Sequence, residues 1–280
     1  YSHRLFLEDA YENHFFKLEE NRITSTAEMR DWKKRFYDRL SLTYDFSKKH
    51  SLGFSGLYYT DRDRIKTETS FVENETEHLS LLKSPTSRDK YQAVLNYAWK
   101  IKRGRDFSVT ADYLRNDLEV NQKEIVDKGN ERISHTTQQT DMLRIRPVFT
   151  TQTKHGELGL GGEMQYVDYE DYIRNTSETE GLVSTMKGYQ PALYANYSSS
   201  YKQRLRYEVG IRYQGNLMDV KTMDVTNENK DWGFCPMVSL MYMANPQKGH
   251  ILSLQYKRMM EELPYSVIST YKQYESPQTY

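Results

Sequence analysis

The stretch RLRYEVGIRYQGN, residues 204–216, alternates between two kinds of side chain along most of its length. Because successive side chains of a β-strand point to opposite faces, the alternation predicts a strand with one apolar and one polar face. The apolar and aromatic positions are Leu205, Tyr207, Val209, Ile211 and Tyr213.

The same alternation recurs along most of the chain and predicts ten long strands in five hairpins. Consecutive hairpins of this kind predict an all-β fold, which we interpret as part of an antiparallel transmembrane β-barrel formed by residues 40–280. The predicted strands lie near 40–46, 52–58, 91–101, 107–113, 143–149, 158–166, 189–197, 205–213, 234–242 and 252–256.

The connections between these strands are predicted to be of two kinds. Short turns such as SKKH (47–50) and KRGRD (102–106) alternate with long polar segments that are predicted to be loops. Outer-membrane barrels combine short periplasmic turns with longer extracellular loops, so the asymmetry favours such a barrel. The predicted loops are residues 61–89, 114–141, 168–187 and 216–232.

Strand length bears on the choice between a barrel and a soluble β-sandwich, which also has alternating strands. Soluble strands average about 5–6 residues, whereas a tilted strand needs about 9–11 residues to span a bilayer. The predicted strands are mostly long enough to span, and we therefore favour the barrel.

Charged residues inside the predicted strands all share the parity opposite to the apolar residues. On a lipid-facing position an Arg or Lys would cost roughly 2–4 kcal/mol at the bilayer midplane. We therefore expect these charges to line a wet lumen, where they contact a plug or select an anionic solute. Among them, the candidate lumen-facing residues are Arg144, Arg146, Glu163, Arg206, Glu208 and Arg212.

Composition excludes several functional classes. The chain has 39 Lys and Arg against 39 Asp and Glu, so there is no basic field for a nucleic-acid partner. The single cysteine, Cys235, excludes an internal disulfide framework and a zinc site built from cysteines. The histidines lack metal-ligand spacing, and no nucleophile motif is present. We expect no cofactor and no enzymatic activity, although Asp61, Asp63 and His78 in one predicted loop keep an enzyme barrel as an alternative.

Tyrosine is abundant, with 24 residues. Several tyrosines fall near strand ends at apolar positions, as expected for rings at the headgroup level of a membrane. Others fall in the predicted loops, where binding residues are common. Tyr169, Tyr172 and Trp232 are therefore candidate ligand contacts.

A proline repeats early in three of the predicted strands, in RIRPVF, GYQPAL and GFCPMV. The prolines are Pro147, Pro191 and Pro236, and a residue without an N–H belongs near a strand start or at a bulge. Residues 1–39 have no clear pattern and remain an unassigned lead-in segment of strand or loop.

Residues from about 190 onward resemble a known family. YANYSSSYKQRLRYEVGIRYQ is similar to adjacent strands of TonB-dependent outer-membrane receptors that read roughly Y-A-x-Y-S and G-[LI]-R-Y, and FCPMVSL followed by LSLQYKR resembles the next strands. The segment is most similar to the receptor-like barrels common in Bacteroidetes. The family pattern continues through Pro264 and Tyr265 to Pro277, and Leu263 stands where many members of the family have an Arg.

The resemblance implies an outer-membrane receptor for TonB-dependent uptake of a large or scarce solute. It implies an N-terminal plug domain of the same polypeptide and the TonB complex as partners, besides outer-membrane lipid and lipopolysaccharide and, as a further candidate, a surface lipoprotein. The alternative is a passive or structural barrel, such as a porin, an adhesin or an assembly scaffold, without TonB coupling.

Overall fold

Eleven antiparallel strands form one sheet in the computed structural model, and they are ordered in space as they are in the chain. The model describes residues 2–18, 23–73, 76–127, 130–176, 181–202, 204–223, 225–245 and 249–260. In this part of the chain β1 and β11 form the two edges of the sheet. The prediction of a partial antiparallel barrel is confirmed.

Most strands have 17–27 residues, far more than the average of about 5–6 for soluble proteins. The bounds are β1 Ser2–Leu18, β2 Ile23–Ser47, β3 His50–Glu73, β4 Thr76–Lys102, β5 Arg105–Val126, β6 Asn130–Gln152, β7 Gly156–Asn175, β8 Leu182–Tyr201, β9 Leu205–Thr222, β10 Val225–Asn245 and β11 His250–Lys257. No helix in the described ranges is long and apolar enough to cross a membrane.

The segments predicted as long loops are strands instead. Residues 61–89, for example, are the second half of β3 and the first half of β4, paired from Asp61↔Arg88 to Glu73↔Thr76. The other three predicted loops are likewise paired halves of hairpins. The connections are therefore short at both ends of the sheet. The two ends differ in how far the strands extend beyond the segments that were predicted to span the membrane.

Residues 1–39, which the sequence pattern leaves unassigned, include β1 and the first part of β2. Their backbones pair from Ser2↔Arg39 to Leu18↔Ile23. The ten strands that the alternation predicts correspond to β2–β11, and β1 is an eleventh strand that the prediction did not include.

One side of the sheet, which we call the apolar face, has a continuous row of apolar side chains across the strands. The large residues on it are exposed, with Leu193 70% and Leu42 59% accessible. Exposed side chains of this size in a continuous row indicate contact with lipid. Successive partners in the row are Leu42, Phe54, Leu95, Ala111, Ile145, Met164 and Pro191.

A second row, made of aromatic rings, crosses the apolar face at its boundary with the charged part of the strands. We call this row the aromatic girdle. Tyr58 stacks on Tyr91 with ring centroids 5.1 Å apart, and the Tyr166 and Tyr189 centroids lie 5.0 Å apart. Rings that bury their body and wet their hydroxyl suit the membrane interface. The girdle consists of Tyr58, Tyr91, Tyr113, Tyr166, Tyr189, Tyr213 and Trp232.

Beyond the girdle the two faces exchange character. On the side of the apolar face, the next residues are charged, and the Tyr113 hydroxyl donates to Asp141 Oδ1 at 2.6 Å. On the opposite side, which we call the polar face, the same stretch of β7–β9 holds a buried apolar cluster. This projecting part therefore has the arrangement of a water-soluble sheet. The cluster consists of Val167, Tyr169, Met186, Met218 and Val220.

The three repeated prolines lie in the interior of strands, because the strands begin earlier than predicted. Pairing of β6 with β7 skips Pro147, and pairing of β8 with β9 skips Pro191. Pairing of β10 with β11 ends next to Pro236. A residue without an N–H interrupts the ladder on one side, and in each case this is the side of the following strand.

Candidate functional site on the polar face

The polar face at the level of the membrane holds a carboxylate between two arginines. Arg146 Nη2 donates to Asp112 Oδ2 at 3.0 Å, and Arg144 Nε lies 3.4 Å from the same oxygen. The Asp112 side chain is only 7% exposed. Two guanidinium groups share one carboxylate, so the cluster has a surplus positive charge. Arg146 Nε is buried without a partner among the described residues.

A second ion pair lies across three strands on the same face. Arg212 Nη2 of β9 donates to Glu163 Oε1 of β7 at 2.8 Å, and Arg212 Nε donates to Gln214 Oε1 at 2.6 Å. The guanidinium also lies 5.9 Å from the centroid of the Tyr194 ring. A charge-assisted bond in this partly shielded setting fixes the Arg212 side chain against the wall.

Side-chain amides connect the two ion-pair clusters to the projecting hairpins. Gln165 Nε2 donates to Gln190 Oε1 at 2.9 Å, and Gln190 Nε2 donates to Asn216 Oδ1 at 3.3 Å. Since Arg144 is the register partner of Gln165, this ladder continues the row that begins at Asp112. The part of this row that lies next to the buried apolar cluster consists of Gln165, Gln190 and Asn216, which carry no charge.

The two remaining predicted lumen residues lie nearer the short turns. Glu208 accepts a hydrogen bond from Asn196 Nδ2 at 3.4 Å. Arg206 is exposed and has no ion pair within the described ranges. The structure therefore places all six predicted charges on one face and joins four of them into ion pairs.

A groove of about 450 Å³ lies on the polar face between β8–β10 and the residues that follow β11. Its wall includes Asn196, Arg212 and Cys235, and the Cys235 thiol is free and buried. Met260 lies over Gly233, where a Cβ would come within 2.8 Å of the methionine sulfur. The glycine thus makes room for the chain that returns onto this face.

The three aromatic residues predicted as loop contacts all lie within strands. Tyr169 of β7 is buried in the apolar cluster, and Tyr172 of the same strand is half-buried on the side of the apolar face. Trp232 of β10 stacks on Tyr213 at 5.3 Å and covers Gly215. None of them is positioned by a loop, because the loops of the prediction are extended hairpins.

Burial shapes the acid–base behaviour of the projecting part of β7. Desolvation raises the pKa of the Asp171 carboxyl above its usual value, with hydrogen bonds from Gln138 and Tyr169 acting in the opposite direction. Burial likewise raises the pKa of the Tyr169 hydroxyl. Both groups lie beyond the girdle, at least three residues past Tyr166.

Of the residues kept for an enzyme alternative, Asp61 and Asp63 lie on β3 and His78 lies on β4. Asp61 is buried and accepts a hydrogen bond from the Tyr59 hydroxyl at 2.9 Å, with Arg35 Nε 3.5 Å away. The His78 side chain and the motif residue Pro264 lie outside what the structure describes. Within the described residues, no three His, Cys, Asp or Glu side chains are grouped as metal ligands would be.

The sequence prediction missed Asp112, Gln165, Gln190 and Asn216. Each has the parity of the polar face, so the alternation contains a signal for its side of the wall. Their hydrogen bonds depend on strand register, which brings Asp112 opposite Arg144 across 32 residues of chain.

Residues 99–280 match the model of the outer membrane protein beta-barrel family. No curated protein is similar enough in sequence to count as a relative.

Three solved receptor structures share the fold. The ferric yersiniabactin uptake receptor FyuA from Yersinia pestis has a TM-score of 0.60 at 8% identity, over 87% of this chain and 44% of FyuA. The ferripyoverdine receptor of Pseudomonas aeruginosa has a TM-score of 0.55 at 12% identity, over 87% of this chain and 40% of the receptor. The alcaligin receptor FauA from Bordetella pertussis has a TM-score of 0.53 at 13% identity, over 87% and 41%. The chain therefore spans less than half the length of each receptor.

Proposed function

Because this chain belongs to the outer membrane protein β-barrel family, we propose that it is part of a TonB-dependent receptor for a solute too large or too scarce for porins. Location in the bacterial outer membrane agrees with the sequence prediction. The proposal concerns the energy coupling and the cargo.

The observation that supports the proposal most is the open sheet. The eleven described strands form a continuous wall whose edges, β1 and β11, each pair on one side only. Further strands are needed to close such a wall, and barrels of about 22 strands have a lumen filled by a plug. The similarity to three receptor barrels, each covered to less than half, supports a wall of that size.

The polar face supports a plug as the partner of this wall. Four of its six predicted charges are held in ion pairs, around Asp112 and between Glu163 and Arg212, and an amide ladder continues from Gln165. A fixed hydrogen-bonding wall suits contact with a folded domain, whereas a selectivity ring presents unpaired charges of one sign. The surplus charge at Arg144 and Arg146 is where a carboxylate of the plug, or of an anionic solute in transit, would bind.

The projecting hairpins are the proposed capture surface. Their rigid strands extend roughly 25 Å or more beyond the girdle, at about 3.3 Å per residue, as in the stretch from Tyr166 to Asn175 and its partners. In this mechanism the solute binds among the hairpins, and TonB then displaces the plug from the periplasmic side. Lipopolysaccharide and a surface lipoprotein are further proposed partners.

The test uses the full-length natural polypeptide in cells with and without TonB. Spent medium is compared by mass spectrometry for a compound that disappears only when the protein, TonB and the proton gradient are all present. Depletion that persists in cells without TonB would contradict the coupling. Conductance of the purified protein in planar bilayers separates the two barrel types, because a plugged receptor stays closed and a porin is open.

A further inference from the structure

The five short turns at one end of the sheet have a charge pattern that the proposed function does not use. They connect β2–β3, β4–β5, β6–β7, β8–β9 and β10–β11. Between residues 47–50, 102–105, 152–156, 201–205 and 245–250 the sequence has nine Lys or Arg and no Asp or Glu. The described members are Lys48, Lys49, Lys102, Arg103, Arg105, Lys154, Lys202 and Arg204.

The opposite end of the sheet has the reverse charge. The five connections there, residues 18–23, 73–76, 126–130, 175–182 and 222–225, contain eight Asp or Glu against two Lys or Arg. The net charge of the whole chain is zero. The positive and negative charges of the connections are nevertheless separated, at opposite ends of the strands.

The turn cations are free to act on an outside partner. All eight described side chains are exposed, and no ion pair within the described ranges involves any of them. Like charges at successive turns repel one another, and an anion bound from outside the sheet would relieve that repulsion. Lys202 lies 5.2 Å from the centroid of the Tyr201 ring, at the lipid-facing edge.

The position of the turns indicates what the anion is. Aromatic rings on the apolar face lie immediately next to the turns, as at Tyr44 and Phe46, whose ring centroids are 4.9 Å apart. His50 in the first turn stacks on Trp99 at 5.7 Å. Rings at this depth mark a membrane interface, and the cations one or two residues further lie at the level of lipid phosphates.

We propose that these turns form a basic ring that binds anionic phospholipid headgroups of the periplasmic leaflet. Neighbouring turns are two strands apart, or roughly 10 Å along the edge, so each faces its own lipids along the perimeter. The occupant is a phospholipid such as phosphatidylglycerol. Lipopolysaccharide, which is also rich in phosphate, belongs to the other leaflet.

The test measures which lipids surround the full-length protein in vesicles of phosphatidylcholine with a minor fraction of phosphatidylglycerol. Spin-labelled forms of the two lipids report the fraction immobilised at the protein surface. We expect phosphatidylglycerol to be preferred about twofold to fivefold at low ionic strength. At 0.5 M salt the preference should largely disappear, because screening acts over a few ångströms.

Two variants with equal loss of charge locate the effect. The turn variant is Lys48→Gln, Lys49→Gln, Lys102→Gln, Arg103→Gln, Lys154→Gln and Arg204→Gln. The control variant removes six cations beyond the girdle: Arg64→Gln, Lys66→Gln, Lys83→Gln, Lys123→Gln, Lys221→Gln and Lys230→Gln. We expect the turn variant to lose the preference and the control variant to keep it.

Three results would overturn the proposal. They are a parent protein without lipid preference, equal loss in both variants, and a turn variant that keeps the preference, whether or not it loses binding to purified peptidoglycan. The salt dependence of the parent needs no variant, and a preference that persists at 0.5 M salt would also contradict the proposal, even where the sixfold substitution impairs folding. The outcome is independent of TonB coupling, so it does not depend on the fate of the proposed uptake function.

Discussion

The halves of β7, β8 and β9 that cross the membrane and the halves that project beyond it place apolar side chains on opposite faces. In the membrane, Leu193 and Ile211 are exposed on the apolar face while Arg212 pairs with Glu163 on the other. Beyond the girdle, Met186 is buried on the polar face, and the outer side is charged.

The strands keep one continuous alternation through this exchange. Lys187 and Leu193 share a parity six residues apart, and the two ladders of β8 break only beside Pro191, on the side of β9. The medium on the outer side therefore decides the pattern: lipid favours apolar residues there, and water beyond the girdle favours charged ones. The following predictions test that difference between the membrane half and the projecting half.

The largest expected effect is that of a charge placed on the lipid-facing side. Leu193→Arg, on the middle of the apolar face, should lower the free energy of unfolding by about 2–4 kcal/mol. Thr185→Arg, on the same side of the same strand but beyond the girdle, should change it by no more than about 0.5 kcal/mol. Guanidinium unfolding of the full-length protein in lipid vesicles measures both, and equal losses would remove the distinction between the halves.

The buried apolar cluster should behave as the core of a soluble protein. Met186 is 3% exposed, and Met186→Ala should destabilise the projecting hairpin by about 2–3 kcal/mol through lost burial and a residual cavity. Val183→Ala, on the outer side of the same strand, should have less than half of that effect. Hydrogen exchange of the β8 amides beyond the girdle provides the measurement, and similar losses of protection in the two variants would argue against an inward core.

The polar face within the membrane should depend on paired charge. Asp112→Asn leaves Arg144 and Arg146 without their shared carboxylate and should cost about 1–2 kcal/mol of unfolding free energy. Asp106→Asn, six residues away on the same strand and face but exposed, is the matched control and should have little effect. Vesicle unfolding compares the two, and a neutral Asp112→Asn variant would show that the cluster does not stabilise the wall.

The smallest effect is a pH dependence of the projecting part of β7. Burial raises the pKa of Asp171 in the folded state, so ionisation there opposes folding. The penalty is absent below the ordinary aspartate pKa of about 3.9 and grows as the pH rises from there toward neutral.

Hydrogen exchange of β7, corrected for intrinsic rates, should show less protection at pH 7 than at pH 4.5, and Asp171→Asn should reduce that difference. Glu170→Gln, on the exposed side of the same strand, is the control. An unchanged pH dependence in the Asp171→Asn variant would assign it to another group.

The sequence predicts the wall well where lipid lies outside it. Alternation such as that of Leu205 to Tyr213 identifies a spanning strand and assigns Arg206, Glu208 and Arg212 to the polar face without any structure. The same reasoning fails beyond the girdle, where Asp168, Glu170 and Lys187 face water. The prediction identified a strand only by an apolar row on its lipid-facing side. Segments with charged residues on that side were therefore predicted to be loops, and the predicted strands are about half as long as the observed ones.

Period-two patterning by itself determined the all-β fold, the membrane-facing side and the parity of all six predicted charges, because side-chain direction in a strand depends only on position along the chain. The charge of the short turns was also present in the sequence. Only the tertiary structure decided that Asp112 joins Arg144 with Arg146, and that Glu163 reaches Arg212 across 49 residues. Those contacts depend on register and on the close approach of distant strands, and neither is encoded in the alternation of a single strand.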